Sequence, residues 1–292
     1  MKRLIKKVIK SFFPQIANII KKRNEVNKGI QILLVENYKK ILHNELSLPL
    51  FEDVEFRNYS QNGEDGILLY MFSIIGFTNK KCLEICAGDG TQCNTTNLII
   101  NHGWNGWLFD GDINNVNNGK LFFSGHPDTA NYPPRFSHTW ITKENVNELI
   151  YSEGLEGEID LLSLDIDGVD YWILESLECV KPRVIVLEYQ CIWGIDRSVT
   201  VPYDSKFKAG FIGQYGVYSG ASLPAFVKLL RRKGYRLVGC EHNGYNAFFI
   251  RNGIAETEFP EIEAIQCIEK PFVQFARQQF LDKIKNLEWV EV

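Results

Sequence analysis

The sequence predicts an α/β domain built on a mainly parallel sheet. Three observations carry this reading. From about residue 58, short β-type runs alternate with helical segments, which is the signature of β-helix-β units. Two of these runs, IDLLSLDI (159–166) and RVIVLEY (183–189), are strong strand candidates. The last two runs, 235–242 and 246–252, are separated only by Asn243, Gly244 and Tyr245. They read as a β-hairpin, so one edge region carries an antiparallel strand.

The elements follow in chain order. Apolar residues at Leu4/Ile5, Val8/Ile9, Phe12/Phe13, Ile16 and Ile19/Ile20 make one helical stripe, kinked at Pro14. Lys2, Arg3, Lys6, Lys7, Lys10, Lys21, Lys22 and Arg23 supply its polar side. Such an arm packs on the body or a second subunit, or lies on anionic lipid as a peripheral contact through residues 1–24. The helical pattern continues to Pro49, giving a basic arm over 1–50. An α/β domain over 51–252 then holds strands at 81–86, 106–110, 138–142 (the weakest), 159–166 and 183–189, and the hairpin. The segment SLPAFVKLLRRKG before the hairpin is an amphipathic helix stopped by Gly234. Residues 253–292 form a helical tail expected to pack on the domain.

Composition excludes several classes. Of 292 residues, 45% are apolar and 23% charged, an ordinary globular balance with material for a sizeable core. Residues 1–50 hold 11 Lys/Arg against 3 Asp/Glu, and the remaining 242 hold 21 against 33. So acidic a body argues against nucleic-acid binding. No stretch approaches the roughly 20 apolar residues of a membrane span. The N-terminus lacks a clean apolar core and a small-residue cleavage site, so a secretory signal is not expected. Seven cysteines, with no Cys-x-x-Cys pair and few histidines, point to free thiols in a reducing, cytoplasmic setting rather than to zinc.

The chemistry-bearing residues gather at strand ends, where open α/β sheets bind ligands. Glu84-Ile85-Cys86-Ala87-Gly88-Asp89-Gly90 leads from a strand through small residues into a helix. Its glycines permit close backbone approach, but no Gly-x-Gly-x-x-Gly pyrophosphate grip is spelled out. Asp110 ends the next strand and can accept the hydroxyls of a ribose. Asp165, Asp167 and Asp170 crowd the end of the fourth strand, and Glu188 ends the fifth. Asp165, Asp167 and Glu188 are candidates to hold a Mg²⁺, and Asp165 and Asp167 to act as a general base; Asp167 and Asp170 also suit helix caps. The aromatic connection 190–220 reads as a binding lid that suits a sugar, or as a folded lid with its own core. His242, in the hairpin turn, is a further candidate proton acceptor.

Together, the turn around Gly88-Asp89-Gly90, Asp110, the LDIDG strand end and NGYNAFFIRN resemble class I S-adenosylmethionine-dependent methyltransferases. LLSLDIDGVDYW followed by RVIVLEY and GYRLVGCEHNGYNAFFI is most similar to the FkbM-type branch, over about residues 58–252. The resemblance implies a Rossmann-like, seven-stranded sheet with the last strand antiparallel. It implies that Glu84, Ala87, Gly88 and Gly90 line the methionine part of S-adenosylmethionine. Asp110 would hold the ribose, and Asp165 would lie near the transferred methyl. The reaction it implies is O-methylation of a sugar, glycan or related hydroxyl. One departure is Cys86, which stands where the first glycine of the turn is usual. The polar segment 59–66 offers Gln61 and Asp65 as residues folding over the cofactor, or serves as a capping loop. Two other functions compete: a non-catalytic scaffold recruited through the basic arm, and a sugar-nucleotide-using transferase, whose Asp-x-Asp signature Asp165-Ile166-Asp167 mimics.

Overall fold

A computed structural model describes residues 26–213 and 215–292. The arm expected over 1–24, with its kink at Pro14, lies outside the described residues. The described chain runs α1 (Lys28–His43), α2 (Phe51–Val54), α3 (Glu64–Ile75), β1 (Lys81–Ile85), α4 (Thr96–His102), β2 (Asn105–Asp110), α5 (Ile113–Gly125), β3 (Arg135–His138), α6 (Val146–Ser152), β4 (Gly157–Leu164), α7 (Asp170–Ser176) and β5 (Val180–Glu188). After a 3₁₀ turn (Cys191–Trp193) come β6 (Val199–Thr200), β7 (Gly210–Ile212), β8 (Tyr215–Tyr218), α8 (Leu223–Arg232), β9 (Tyr235–Cys240), β10 (Asn246–Arg251), α9 (Ile265–Ile268), α10 (Pro271–Ile284) and β11 (Val290–Glu291).

Seven strands form one sheet in the order β3-β2-β1-β4-β5-β10-β9. β1 pairs in parallel with both β2 and β4, and β10 runs antiparallel to both β5 and β9. The fold is thus Rossmann-like, with a mainly parallel sheet and an antiparallel last strand, as expected. That last strand is inserted inside the sheet, and β9 is the edge.

Strand side chains alternate between two buried clusters. Leu83, Phe109 and Phe249 belong to one, with residues of α6, α7, α8 and α10. Cys82, Leu108 and Phe248 belong to the other, with residues of α1, α3, α4 and α5. The two faces are needed because a sheet apolar on both sides must be covered on both. The order of the strands reverses at β1, with β2 on one side and β4 on the other, which opens a crevice at the carboxyl ends of β1 and β4.

Two details fix the frame. Asp160, fully buried in β4, accepts hydrogen bonds from the backbone N–H of Thr78 (2.8 Å), Asn79 (2.8 Å) and Lys80 (2.6 Å) and from Arg183 Nη1 (3.0 Å). Arg183 also donates to the carbonyls of Gly76 and Ile75. This pair clamps the α3–β1 connection to the amino end of the sheet. Gly66 lets α3 press on the preceding loop, since a Cβ there would lie 2.1 Å from the Val54 carbonyl oxygen.

Two expected boundaries are corrected. The third strand is Arg135–His138, not 138–142. The chain leaves the sheet after His138, where Asn145 Oδ1 accepts from the Thr142 N–H and the Trp140 indole donates to the Ser205 carbonyl. The hairpin turn spans residues 241–245, because the buried Glu241 carboxylate takes the N–H groups of Asn243, Tyr245 and Asn246. The connection 190–220 is folded: Trp193, Val199 and Val217 join the core, and β7 and β8 form a hairpin. No described helix is long and apolar enough to cross a membrane.

Candidate functional site

The turn after β1 is shaped by backbone geometry. Cys86 has φ +69°, followed by Gly88 at +54° and Gly90 at +76°. Left-handed backbone costs a non-glycine residue roughly 1–2 kcal/mol. Cys86 therefore occupies a position that glycine would fill without strain. The N–H groups of Cys86 and Ala87 both donate to the Phe109 carbonyl at 2.9 Å, tying the turn to β2. A Cβ at Gly90 would meet Phe123 at 2.7 Å, so this glycine serves packing.

Two hollows open at the carboxyl edge and share Cys86 in their walls. One is a mainly apolar slot between Phe109, Trp140, Ile141, Ile166 and Phe207, with Asp110 at its side. The buried Asp110 carboxylate accepts from Gly88 N–H (2.8 Å), Asp112 N–H (2.8 Å) and Asn115 Nδ2 (3.1 Å). Three of its roughly four acceptor positions are thus taken, and one is left for a ligand. The second hollow is a cavity of about 370 Å³ with Cys86 in its wall.

Asp165, Asp167 and Glu188 meet in this cavity and offer oxygens within 4.8 Å of one another. Their chemistry suits a divalent cation or a proton. Burial, and then the neighbouring carboxylates, push both Asp165 and Glu188 upward, Asp165 to about 7 and Glu188 well above the usual range. Asp165 Oδ1 is buried without a protein partner. Asp167 sits at φ +52°, a conformation Asp tolerates. Asp170 accepts from the N–H of Ile166 (2.8 Å) and Gly168 (3.0 Å), holding the strand end in shape. Burial moves it up to about 6 despite those donors.

The other candidates separate. Glu84 touches the cavity. Its carboxylate, pushed up by burial, is filled by Asn94 N–H, Ser163 Oγ, and the N–H and hydroxyl of Thr95, and so it fixes the start of α4. Gln61 lines the cavity, whereas Ala87, Gly88 and Gly90 line neither hollow. Asp65 lies beneath its loop, where Oδ2 accepts from the N–H groups of Asn58, Tyr59 and Ser60; burial outweighs these donors and raises it to about 7. His242 is not brought to the cavity: its Nδ1 lies 2.5 Å from Glu55 Oε2 on the far side of the hairpin turn.

Several lining residues are not among the site residues named from the sequence. Phe272 and Phe280 reach the cavity from α10, and Asn62, Gln190 and Asn246 add amides. For Asn246 the available signal is its cross-strand register with Glu188.

No family model and no curated protein matches the chain. Among solved structures, it is similar to an S-adenosylmethionine-dependent methyltransferase from Clostridium acetobutylicum (11% identity, TM-score 0.42, covering 75% of this chain and 98% of that one). It is also similar to the magnesium protoporphyrin IX methyltransferase of Synechocystis with bound cofactor (11%, TM-score 0.39, 85% and 97%). A third is the N-terminal domain of EvdMO1 with S-adenosylhomocysteine bound (14%, TM-score 0.43, 74% and 94%).

Proposed function

We propose that the chain transfers a methyl group from S-adenosylmethionine to a hydroxyl of a sugar, glycan or related small molecule, the FkbM-type activity its sequence resembles. The observation that carries this reading is the pair of hollows meeting at Cys86. The apolar slot with Asp110 suits an adenosine, and the larger cavity suits an acceptor beside a carboxyl pair. The fit is supported by Asp165 Oδ1, a buried oxygen that accepts nothing from the protein.

When bound, the cofactor supplies an electrophilic methyl group. The chain's own work is alignment and proton removal, the two terms that dominate such transfers. Trp140 and Phe207 would flank the adenine, and Asp110 would accept a ribose hydroxyl. Asp165 Oδ1 would take the hydroxyl proton of the acceptor, with the Glu188 carboxyl beside it. Mg²⁺ on Asp165, Asp167 and Glu188 is the competing arrangement, in which the cation orients adjacent hydroxyls. Insensitivity of the transfer rate to EDTA is the expected result; loss restored by Mg²⁺ assigns those oxygens to the cation.

The direct test is passage of labelled methyl from S-adenosylmethionine to neutral sugars. In parallel, Trp140→Ala should weaken S-adenosylhomocysteine binding about tenfold, because it removes the stacking wall of the slot (base-aromatic stacking is worth roughly 1–3 kcal/mol). Unchanged affinity in that variant would remove the slot from the account.

A further inference from the structure

The larger cavity has a one-sided chemistry. Glu64, Glu84, Asp165, Asp167, Asp170 and Glu188 line it, and no Lys, Arg or His does so among the described residues. Arg277, on the same helix as Phe272 and Phe280, does not line the cavity: its Nη2 donates to Asp196 at 2.8 Å, and its unpartnered Nη1 is buried against Gly194. A phosphate or carboxylate brought here would be desolvated beside carboxylates with no cation to receive it.

Three of the six carboxylates, Glu64, Glu84 and Asp170, are committed to donors of the protein. Glu84 and Asp170 are occupied by the donors described above, and Asp165, Asp167 and Glu188 offer oxygens within 4.8 Å of one another. Glu64 accepts the N–H groups of Asn62 (2.8 Å) and Gly63 (2.9 Å) on Oε2, and Asn246 Nδ2 (2.7 Å) on Oε1. A carboxylate only accepts, so this last contact fixes which way the Asn246 amide faces. Its oxygen is left as a buried acceptor with no protein partner, on a residue only 7% exposed that lines the cavity. Asn246 is also the register partner of Glu188 across β5 and β10. Two unpartnered acceptor oxygens, on Asn246 and Asp165, therefore belong to one cavity. Buried acceptors left without donors are costly, and a ligand that brings the donors removes the cost.

We infer that the acceptor is an uncharged compound with neighbouring hydroxyls, free of phosphate and carboxylate, and that Asn246, oriented by Glu64, is a specificity-determining residue that receives one of those hydroxyls. This deepens the methyl-transfer reading and rests on it. The aromatic side chains Tyr215, Phe272 and Phe280 provide flat apolar faces for the C–H surface of a sugar ring in the same space. Asn246 acts on the hydroxyl that is bound, and Glu64 acts only through Asn246, as a positioning residue.

The test is saturation-transfer NMR on the full chain, with S-adenosylhomocysteine present. The probes are the methyl glycosides of glucose, mannose and galactose and the 6-phosphates of the same sugars. At least one neutral glycoside should bind, and its 6-phosphate should bind at least about tenfold more weakly, which corresponds to 1.4 kcal/mol or more. Asn246→Ala should weaken the neutral glycoside about fivefold to tenfold, the worth of one hydrogen bond. Glu64→Gln should do the same: its new Nε2 donor turns the Asn246 oxygen toward itself and away from the ligand. Both variants should keep S-adenosylhomocysteine affinity within about twofold, which also shows that they are folded. Binding of the phosphates as well as the neutral sugars, binding of no neutral sugar, or wild-type glycoside affinity in a folded Asn246→Ala variant would overturn the inference. If glycosides bind through Asn246 while S-adenosylhomocysteine does not bind at all, the cofactor reading fails and the neutral-ligand assignment stands.

Discussion

Asp165→Asn is expected to lower the rate of methyl transfer by about 10²–10⁴-fold, the usual contribution of a positioned general base. The change keeps the size of the side chain but removes its capacity to take a proton. Asp165 is placed for that role by its own strand end. β4 stops at Leu164, the Asp170 carboxylate holds the N–H groups of Ile166 and Gly168, and the Glu188 carboxyl lies beside Asp165 from the neighbouring strand. Affinity for S-adenosylhomocysteine should stay within a few-fold, because Asp110 and the apolar slot lie on the other side of Cys86. Single-turnover transfer of labelled methyl, measured beside a binding titration, separates the two effects. A rate within threefold of wild type would remove Asp165 from the proton path.

Asp160→Ala is expected to cost about 3–5 kcal/mol of stability, the range for breaking a buried ion pair from one side. Asp160 is fully buried, and four donors converge on it. Its removal leaves Arg183 charged and short of a partner, and frees three N–H groups at the start of β1. Urea unfolding of the variant should show a lower midpoint with an unchanged slope. A loss below about 1 kcal/mol would mean that water satisfies the α3–β1 connection. This pair lies at the amino edge of the sheet, away from both hollows, so ligand affinity in the folded variant should be retained.

The sheet was largely legible in the sequence, because buried strands leave apolar runs and the hairpin leaves a short polar interruption. The third strand was displaced by composition: His138–Thr142 has β-type residues, but Trp140 and Asn145 take the chain into a loop with side-chain hydrogen bonds. The strand-end acids could be seen because they follow apolar runs. Which of them remain available to a ligand could not be seen, since that depends on donors from distant segments. Glu84 is filled by Asn94, Thr95 and Ser163, whereas Asp165 keeps a free oxygen. His242 looked available as a turn residue, yet Glu55, 187 positions away, holds its ring. Asn246 carried no local signal, because its importance comes from the register of β10 on β5 and from Glu64. The helical period of the tail indicated packing, but it did not indicate that Phe272 and Phe280 face a cavity.

The hollows meeting at Cys86 are expected to hold S-adenosylmethionine. Calorimetric titration of the full chain with S-adenosylmethionine and S-adenosylhomocysteine, with Asp110→Ala as the comparison, tests this most directly. Saturable one-to-one binding of both is expected, weakened about tenfold to a hundredfold in the variant, the effect of losing a hydrogen bond to a charged group. Absence of binding by the folded wild-type chain, or equal affinity in Asp110→Ala, would contradict it.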